Sequence, residues 1–130
     1  MTEGKPRFEW NALCIDCAPK DFEKMVAFYC DLLEWRVWDK EQRWASIGLE
    51  TGMMVLVQAE EWYVPPVWPE ELPAQTKMMH LEVRVEDVEP AVATAIEIGA
   101  REAPNQPADR DQSKLRAMLD PAGHPFCLWS

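Results

Sequence analysis

The chain repeats itself, and that is its strongest constraint. Residues 14–29 align without a gap on residues 80–95, at a constant offset of 66. Ile15 meets Leu81, Asp16 meets Glu82, Asp21 meets Asp87, Glu23 meets Glu89, Val26 meets Val92 and Ala27 meets Ala93. So long a period marks a duplicated supersecondary unit, and two such units in 130 residues must share one core. The duplication also pairs positions across the two halves, giving each candidate site residue a counterpart.

Local patterns give both copies the same content. Trp10 to Cys17 reads as a strand ended by Ala18-Pro19. Asp21 is placed to cap a helix whose apolar stripe is Phe22, Met25, Val26, Tyr29, Leu32 and Leu33. Trp35–Trp38, Arg43–Gly48 and Met53–Gln58 alternate as short strands separated by turns. In the second copy Met79–Val85 is the first strand. Asp87 caps a helix along Val88, Ala91, Val92, Ala95 and Ile96, and Gly99 stops it. Strands near Arg101–Ala103, Lys114–Leu119 and Pro125–Trp129 complete a second β-α-β-β-β unit. The polar loop 104–112 lacks glycine and is expected to be mobile or to touch a partner. We therefore expect a single domain over 1–130, with module one at about 10–60, a proline-rich linker at about 61–77 and module two at about 78–130. Residues 1–9 are polar and expected to be loose.

Bulk properties narrow the function classes. A net charge of −10 opposes nucleic-acid binding, whose proteins present basic faces to phosphate. It suits solubility and a weak attraction for cationic small molecules. No apolar run reaches the ~20 residues of a membrane span, and the N-terminus lacks a signal-peptide pattern. A soluble, cytoplasmic protein is expected. Cys14, Cys17, Cys30 and Cys127 are read as reduced thiols. Cys14-x-x-Cys17 lies on a strand, where residues three apart point to opposite faces, so the pair cannot serve one metal. Seven tryptophans are many for a core of this size, and aromatic-lined hollows are common ligand sites.

These features resemble the vicinal oxygen chelate superfamily, which includes glyoxalase I, bleomycin-resistance proteins and extradiol dioxygenases. The resemblance spans residues 10 to 129. It rests on the Asp21…Phe28-Tyr29…Leu32-Leu33 helix, His80-Leu81-Glu82-Val83 leading to Val85-Glu86-Asp87, Ile98-Gly99-Ala100, and Asp120-Pro121-Ala122-Gly123-His124-Pro125-Phe126. The Ile-Asp-Cys first strand, the Pro65-Pro66-x-Trp68-Pro69 linker and the Gly-His-Pro-Phe-Cys ending are similar to the glyoxalase-like subgroup. The resemblance implies an α+β fold, two tandem βαβββ modules forming a curved mixed sheet around a cavity, and a homodimer.

It also implies where a metal would sit. Family members take one ligand from the first and one from the last strand of each unit. Those positions here are Cys14 and His80, with Leu56 (or Val57) and Cys127, so His80 alone matches the family's pattern. Mg²⁺, Mn²⁺ and Fe²⁺ want oxygen and imidazole donors, and no carboxylate occupies these places. No cofactor is therefore expected; the alternative is zinc at Cys14, His80 and Cys127.

Strand alternation suggests what fills the cavity instead. With Cys14 and His80 pointing inward, so do Asp16, Glu82 and Arg84, while Ile15, Leu81, Val83 and Val85 pack beneath the helices. Met54, Leu56 and Gln58 face in from one unit, Pro125, Cys127 and Trp129 from the other, with Trp44 in the aromatic wall. His80, Glu82 and Asp16 are the candidates for acid–base work. Alternatively Glu82 pairs with Arg84 or Lys114 and Asp16 caps backbone amides. His124, in a turn, is read as structural.

The leading expectation is a metal-independent homodimer that holds a small organic ligand, cationic or aromatic, as bleomycin-resistance proteins do, with no nucleic-acid or membrane partner. The alternative is a lyase, isomerase or dioxygenase-like enzyme of the same superfamily, acid–base or metal-dependent; glyoxalase I itself is disfavoured by its missing glutamates. A third reading makes 62–73 a protein-docking segment.

Overall fold

A computed structural model describes residues 7, 10–68 and 79–130. The expectations for residues 1–9 and for most of the linker fall largely outside these. The first unit runs β1 (Ala12–Cys17), a 3₁₀ turn (Pro19–Asp21), α1 (Phe22–Leu33), β2 (Arg36–Lys40), β3 (Trp44–Gly48) and β4 (Met54–Ala59). The second runs β5 (Leu81–Arg84), α2 (Val88–Glu97), β6 (Arg101–Glu102), β7 (Leu115–Leu119) and β8 (Pro125–Trp129). Each unit forms a four-stranded sheet, ordered β1-β4-β3-β2 and β5-β8-β7-β6. In both, the first strand pairs parallel with the last and the other pairings are antiparallel, so the duplication seen in sequence is a duplication of topology.

One core joins the units. Met25, Phe28 and Tyr29 of α1 are buried with Ile47, Val55 and Val57 of their own sheet, and with Val88, Met118, Phe126 and Leu128 of the other unit. The rings of Phe28 and Phe126 meet edge-on at 5.8 Å across the two units, and Phe28 meets Tyr29 at 4.9 Å. Fully burying a side chain of this size stabilises by about 1.5–3 kcal/mol. Neither module could gain that alone, because the apolar face of each is covered partly by the other.

The helix starts differ from expectation. Asp21 and Asp87 hold the N-cap positions, but neither side chain makes a capping bond. At α1 the 3₁₀ turn supplies the entry: Asp21 is itself nearly helical (φ −101°, ψ −3°), so its carboxylate is not aimed at the first free amides. At the far end of α2, Gly99 (φ 123°) turns the chain into β6, a backbone conformation that L side chains rarely adopt. The loop after β6 is pinned to its own sheet at Gln106. The Gln106 side chain donates to the carbonyls of Ala103 (3.2 Å) and Ala117 (2.9 Å) and accepts from the Ala117 amide (2.7 Å).

Candidate ligand-binding site

Alternation along the strands divides the cysteines as expected. Cys17 is buried and Cys14 exposed, so the two thiols lie on opposite faces of β1. Burial pushes the Cys17 thiol up to about 11, helped by the charges of Asp21 and Asp120. Cys14 is raised as well, first by burial and then by Asp16. Its Sγ lies 3.8 Å from both Asp16 Oδ1 and Gln58 Oε1, and Gln58 Nε2 in turn donates to Glu60 at 2.5 Å.

The larger cavity, about 600 Å³, opens where the start of β1 and the start of β5 come together. Cys14 and Asp16 line it from one unit and His80 and Leu81 from the other. The segment after β4 adds Glu60, Trp62 and Tyr63, and the β7–β8 turn adds His124. Trp62 is 87% exposed, so an indole stands at the mouth with an open face. Ile15 and Leu81, expected only beneath the helices, also reach the wall.

The turn between β7 and β8 anchors this wall, and His124, read from the sequence as structural, is part of that anchor. Asp120 is fully buried. Its Oδ2 accepts from the Tyr29 hydroxyl at 2.6 Å, and its Oδ1 accepts from the amides of Ala122 (2.9 Å) and His124 (3.0 Å). Burial pushes the Asp120 carboxyl up, while the His124 charge and these hydrogen bonds oppose it. Burial and the neighbouring Asp120 raise the Tyr29 and Tyr63 hydroxyls, so both stay protonated donors. Tyr63 donates to the Ala122 carbonyl at 3.0 Å. His124 Nε2 lies 2.6 Å from the backbone carbonyl of Asp16 and 3.2 Å from the Tyr63 hydroxyl. A carbonyl can only accept, so Nε2 carries the proton. His124 thereby clips the last turn of module two onto the first strand of module one, across the cavity. The signal for this was present in the Asp120-Pro121-Ala122-Gly123-His124 run, where an acid precedes a glycine turn; nothing local announced that it would be buried.

The other predicted site residues lie outside this cavity. Glu82 and Trp129 face a smaller pocket of about 220 Å³ beside Arg110 and Lys114. The guanidinium of Arg84 stacks over the Trp129 ring at 5.6 Å. Leu56 and Gln58 are half-buried on β4, in register with Cys14 and Asp16, and half-buried Trp44 pairs with Gln58 from β3. Glu82 does not pair with Arg84 or Lys114: its Oε2 lies 2.7 Å from His80 Nε2, the nearer partner along its own strand. Asp16, for its part, receives the Cys14 thiol rather than a backbone amide.

Register also revises the metal positions. Asp16 pairs with Gln58, whereas its repeat mate Glu82 pairs with Cys127. By the parallel pairing Cys127 answers to Gln58, whereas by the hairpins, whose turns 49–53 and 120–124 are equal in length, it answers to Leu56; β4 and β8 sit two residues apart in register on their first strands. Cys14, one of the expected zinc ligands, is not in the group of donors that converges among the described residues. Among the described residues, the donors that converge are His80, Glu82 and Cys127, whose ligand atoms all lie within 4.8 Å of one another. A hard octahedral ion of the Mg²⁺ or Mn²⁺ type does not fit a set with one carboxylate, one imidazole and one thiol.

Among the described residues, no helix is long and apolar enough to cross a membrane. No curated protein matches the chain. Solved structures do. A glyoxalase family protein from Enterococcus faecalis superposes with a TM-score of 0.66 at 22% identity, covering 94% of this chain and 97% of its own. A gene product from Arabidopsis thaliana gives 0.65 at 16% identity, with 97% and 100% covered. A glyoxalase/bleomycin resistance protein/dioxygenase family enzyme from Burkholderia phytofirmans PsJN gives 0.63 at 16%, with 91% and 94% covered. Identities this low speak for the fold alone. The family model for the glyoxalase-like domain matches residues 12–129, almost the whole chain. Sequence duplication, paired βαβββ sheets and this match agree: the chain belongs to the glyoxalase-like domain family, within the vicinal oxygen chelate superfamily.

Proposed function

We propose that the protein binds a small organic cation with an aromatic or apolar part, and that side chains rather than a resident metal hold it. The observation that carries this reading is the composition of the 600 Å³ cavity, which sets two carboxylates, Asp16 and Glu60, beside Trp62 and Tyr63. That volume lies within the usual range of ligand pockets. A cation over an exposed indole gains about 0.5–1 kcal/mol, and the net charge of −10 attracts cations from solution. The protein would act as a cytoplasmic homodimer, a reading supported by the exposed apolar side chains of Val37, Trp38 and Met54.

Titration with an aryl-ammonium compound tests this by tryptophan fluorescence. Saturable quenching is expected, weakened roughly tenfold by Asp16→Asn, the loss of one charge-assisted contact of ~1.4 kcal/mol. Absence of quenching at millimolar concentration by any such compound would overturn the reading.

A second reading, an enzyme of the lyase or isomerase type, is favoured by the 2.7 Å contact of His80 with Glu82, an imidazole–carboxylate pair suited to proton transfer with Asp16 across the cavity. Turnover abolished by His80→Ala with ligand binding retained would identify it.

A further inference from the structure

The smaller pocket, of about 220 Å³, has a different chemistry from the larger cavity. We propose that it is a site for a small organic oxyanion, a carboxylate or a phosphate monoester, held by Arg110 and Lys114 with its flat part against Trp129. The two spaces adjoin, since His80 of the larger cavity bonds Glu82 of the smaller. The inference goes beyond the cationic ligand read for the larger one.

Strand pairing builds the platform. Trp129 is the register partner of Arg84 on β5 and of Leu115 on β7, so the three side chains share one face of the sheet with the indole in the middle. The guanidinium of Arg84 lies 5.6 Å from the indole centroid. Lys114 immediately precedes β7 and Arg110 comes from the loop before it, and both line the pocket. Among the described residues the side-chain ion pairs use Lys40, His80 and Arg116, which leaves Arg84, Arg110 and Lys114 without an ion-pair partner. Both carboxylates at the pocket have other donors. Glu82 Oε2 meets His80 Nε2 at 2.7 Å, and Asp111 Oδ1 accepts from the Ser113 amide (2.9 Å) and hydroxyl (2.7 Å). In a chain of net charge −10, three unpaired cations around one indole reverse the sign of the surrounding surface. A guanidinium matches the paired oxygens of a carboxylate or phosphate with parallel N–H donors, and an ammonium adds a point charge.

The loop that supplies Arg110 is what module one lacks. Residues 41–43 join β2 to β3, whereas residues 103–114 join β6 to β7. The longer connection is held in place along its length. Gln106 bonds Ala103 and Ala117, the Lys114 and Leu115 amides donate to the Asp111 carbonyl at 2.9 and 3.0 Å, and the Ser130 amide donates to the Lys114 carbonyl at 3.0 Å. A backbone already ordered leaves less entropy to lose on binding. The pocket is smaller than the roughly 300–1,000 Å³ of sites for drug-sized ligands, so it suits an acidic head with one ring attached and is too small for a nucleotide.

Full-length, isotope-labelled protein is titrated with phenyl phosphate and with benzoate at low ionic strength, and the indole N–H resonances are followed by NMR. The Trp129 resonance, assigned by its loss in Trp129→Leu, should shift saturably with at least one of the two probes, and the affinity should fall as salt is added. Arg110→Gln and Lys114→Gln each weaken binding roughly tenfold, the loss of one charge-assisted contact. Trp62→Ala, at the mouth of the larger cavity, leaves it unchanged. The proposal is overturned if neither probe moves the Trp129 resonance at millimolar concentration, if both Arg110→Gln and Lys114→Gln keep full affinity, or if Trp62→Ala abolishes binding. Should Trp129→Leu fail to fold by circular dichroism, the exposed loop positions decide: affinity unchanged in both Arg110→Gln and Lys114→Gln overturns it equally.

Discussion

Tyr29→Phe is the sharpest probe of how the two modules are joined. The substitution keeps the ring that packs on Phe28 and removes only the hydroxyl that donates to buried Asp120 at 2.6 Å. A hydrogen bond to a charged group is worth about 1.5–3 kcal/mol, and here its loss leaves a buried carboxylate oxygen without that donor. At ~4 °C per kcal/mol for a domain of this size, the midpoint of thermal unfolding should fall by about 6–12 °C at pH 7. The pH dependence follows from the direction in which Asp120 is shifted. Burial raises its folded-state carboxyl above the ordinary aspartate range, and the Tyr29 bond is among the contacts that hold it down. Removing the hydroxyl raises it further. A carboxyl raised in the folded state stabilises fully below its unfolded pKa, and that contribution is lost as pH climbs through the folded value. The variant thus suffers most at neutral pH. As pH falls and the carboxyl takes up its proton, the bond at stake becomes a neutral one of about 0.5–1.5 kcal/mol. Urea unfolding of both proteins at pH 7 and pH 4, followed by circular dichroism, measures the difference. A loss under about 0.5 kcal/mol at pH 7, or a larger loss at pH 4 than at pH 7, would refute this account of the junction.

Two further outcomes are expected. Arg116, with its side chain only 8% exposed, bonds Glu102 at 2.6 Å and also Glu89, and these carboxylates outweigh the burial that would otherwise lower its pKa. Arg116→Ala should cost about 1–3 kcal/mol in chemical denaturation through lost stem packing and lost charged bonds, whereas Glu89→Gln, at an exposed partner, should cost under about 1 kcal/mol. Iodoacetamide at pH 8 should label exposed Cys14 first in the native protein, because at a pKa of about 11 Cys17 is thiolate in only roughly one molecule per thousand. Peptide mass spectrometry read before and after denaturation checks the order, and early labelling of Cys17 would contradict its burial.

Much of the architecture was written in local pattern. Period-2 and period-3.6 spacing, repeated at an offset of 66, was enough for two βαβββ units, and Pro125–Trp129 is a strand with the bounds expected of it. Inward and outward faces of β1 and β4 followed from alternation alone, as Cys14 and Cys17 show. Such signals are local because backbone geometry sets them residue by residue. The candidate site was not local. Whether Cys127 answers to Leu56 or to Gln58 depends on the register of a parallel strand pair, and a shift of two residues keeps every side chain on its face while changing each neighbour. The burial of Asp120 and the reach of His124 to the Asp16 carbonyl join residues about a hundred positions apart. Sequence alone determined the repeat, the elements and the acidic, tryptophan-rich chemistry available to them. Tertiary packing decided which of those groups meet, because a contact between distant residues is set by the register and docking of whole sheets, and no short stretch of chain encodes either.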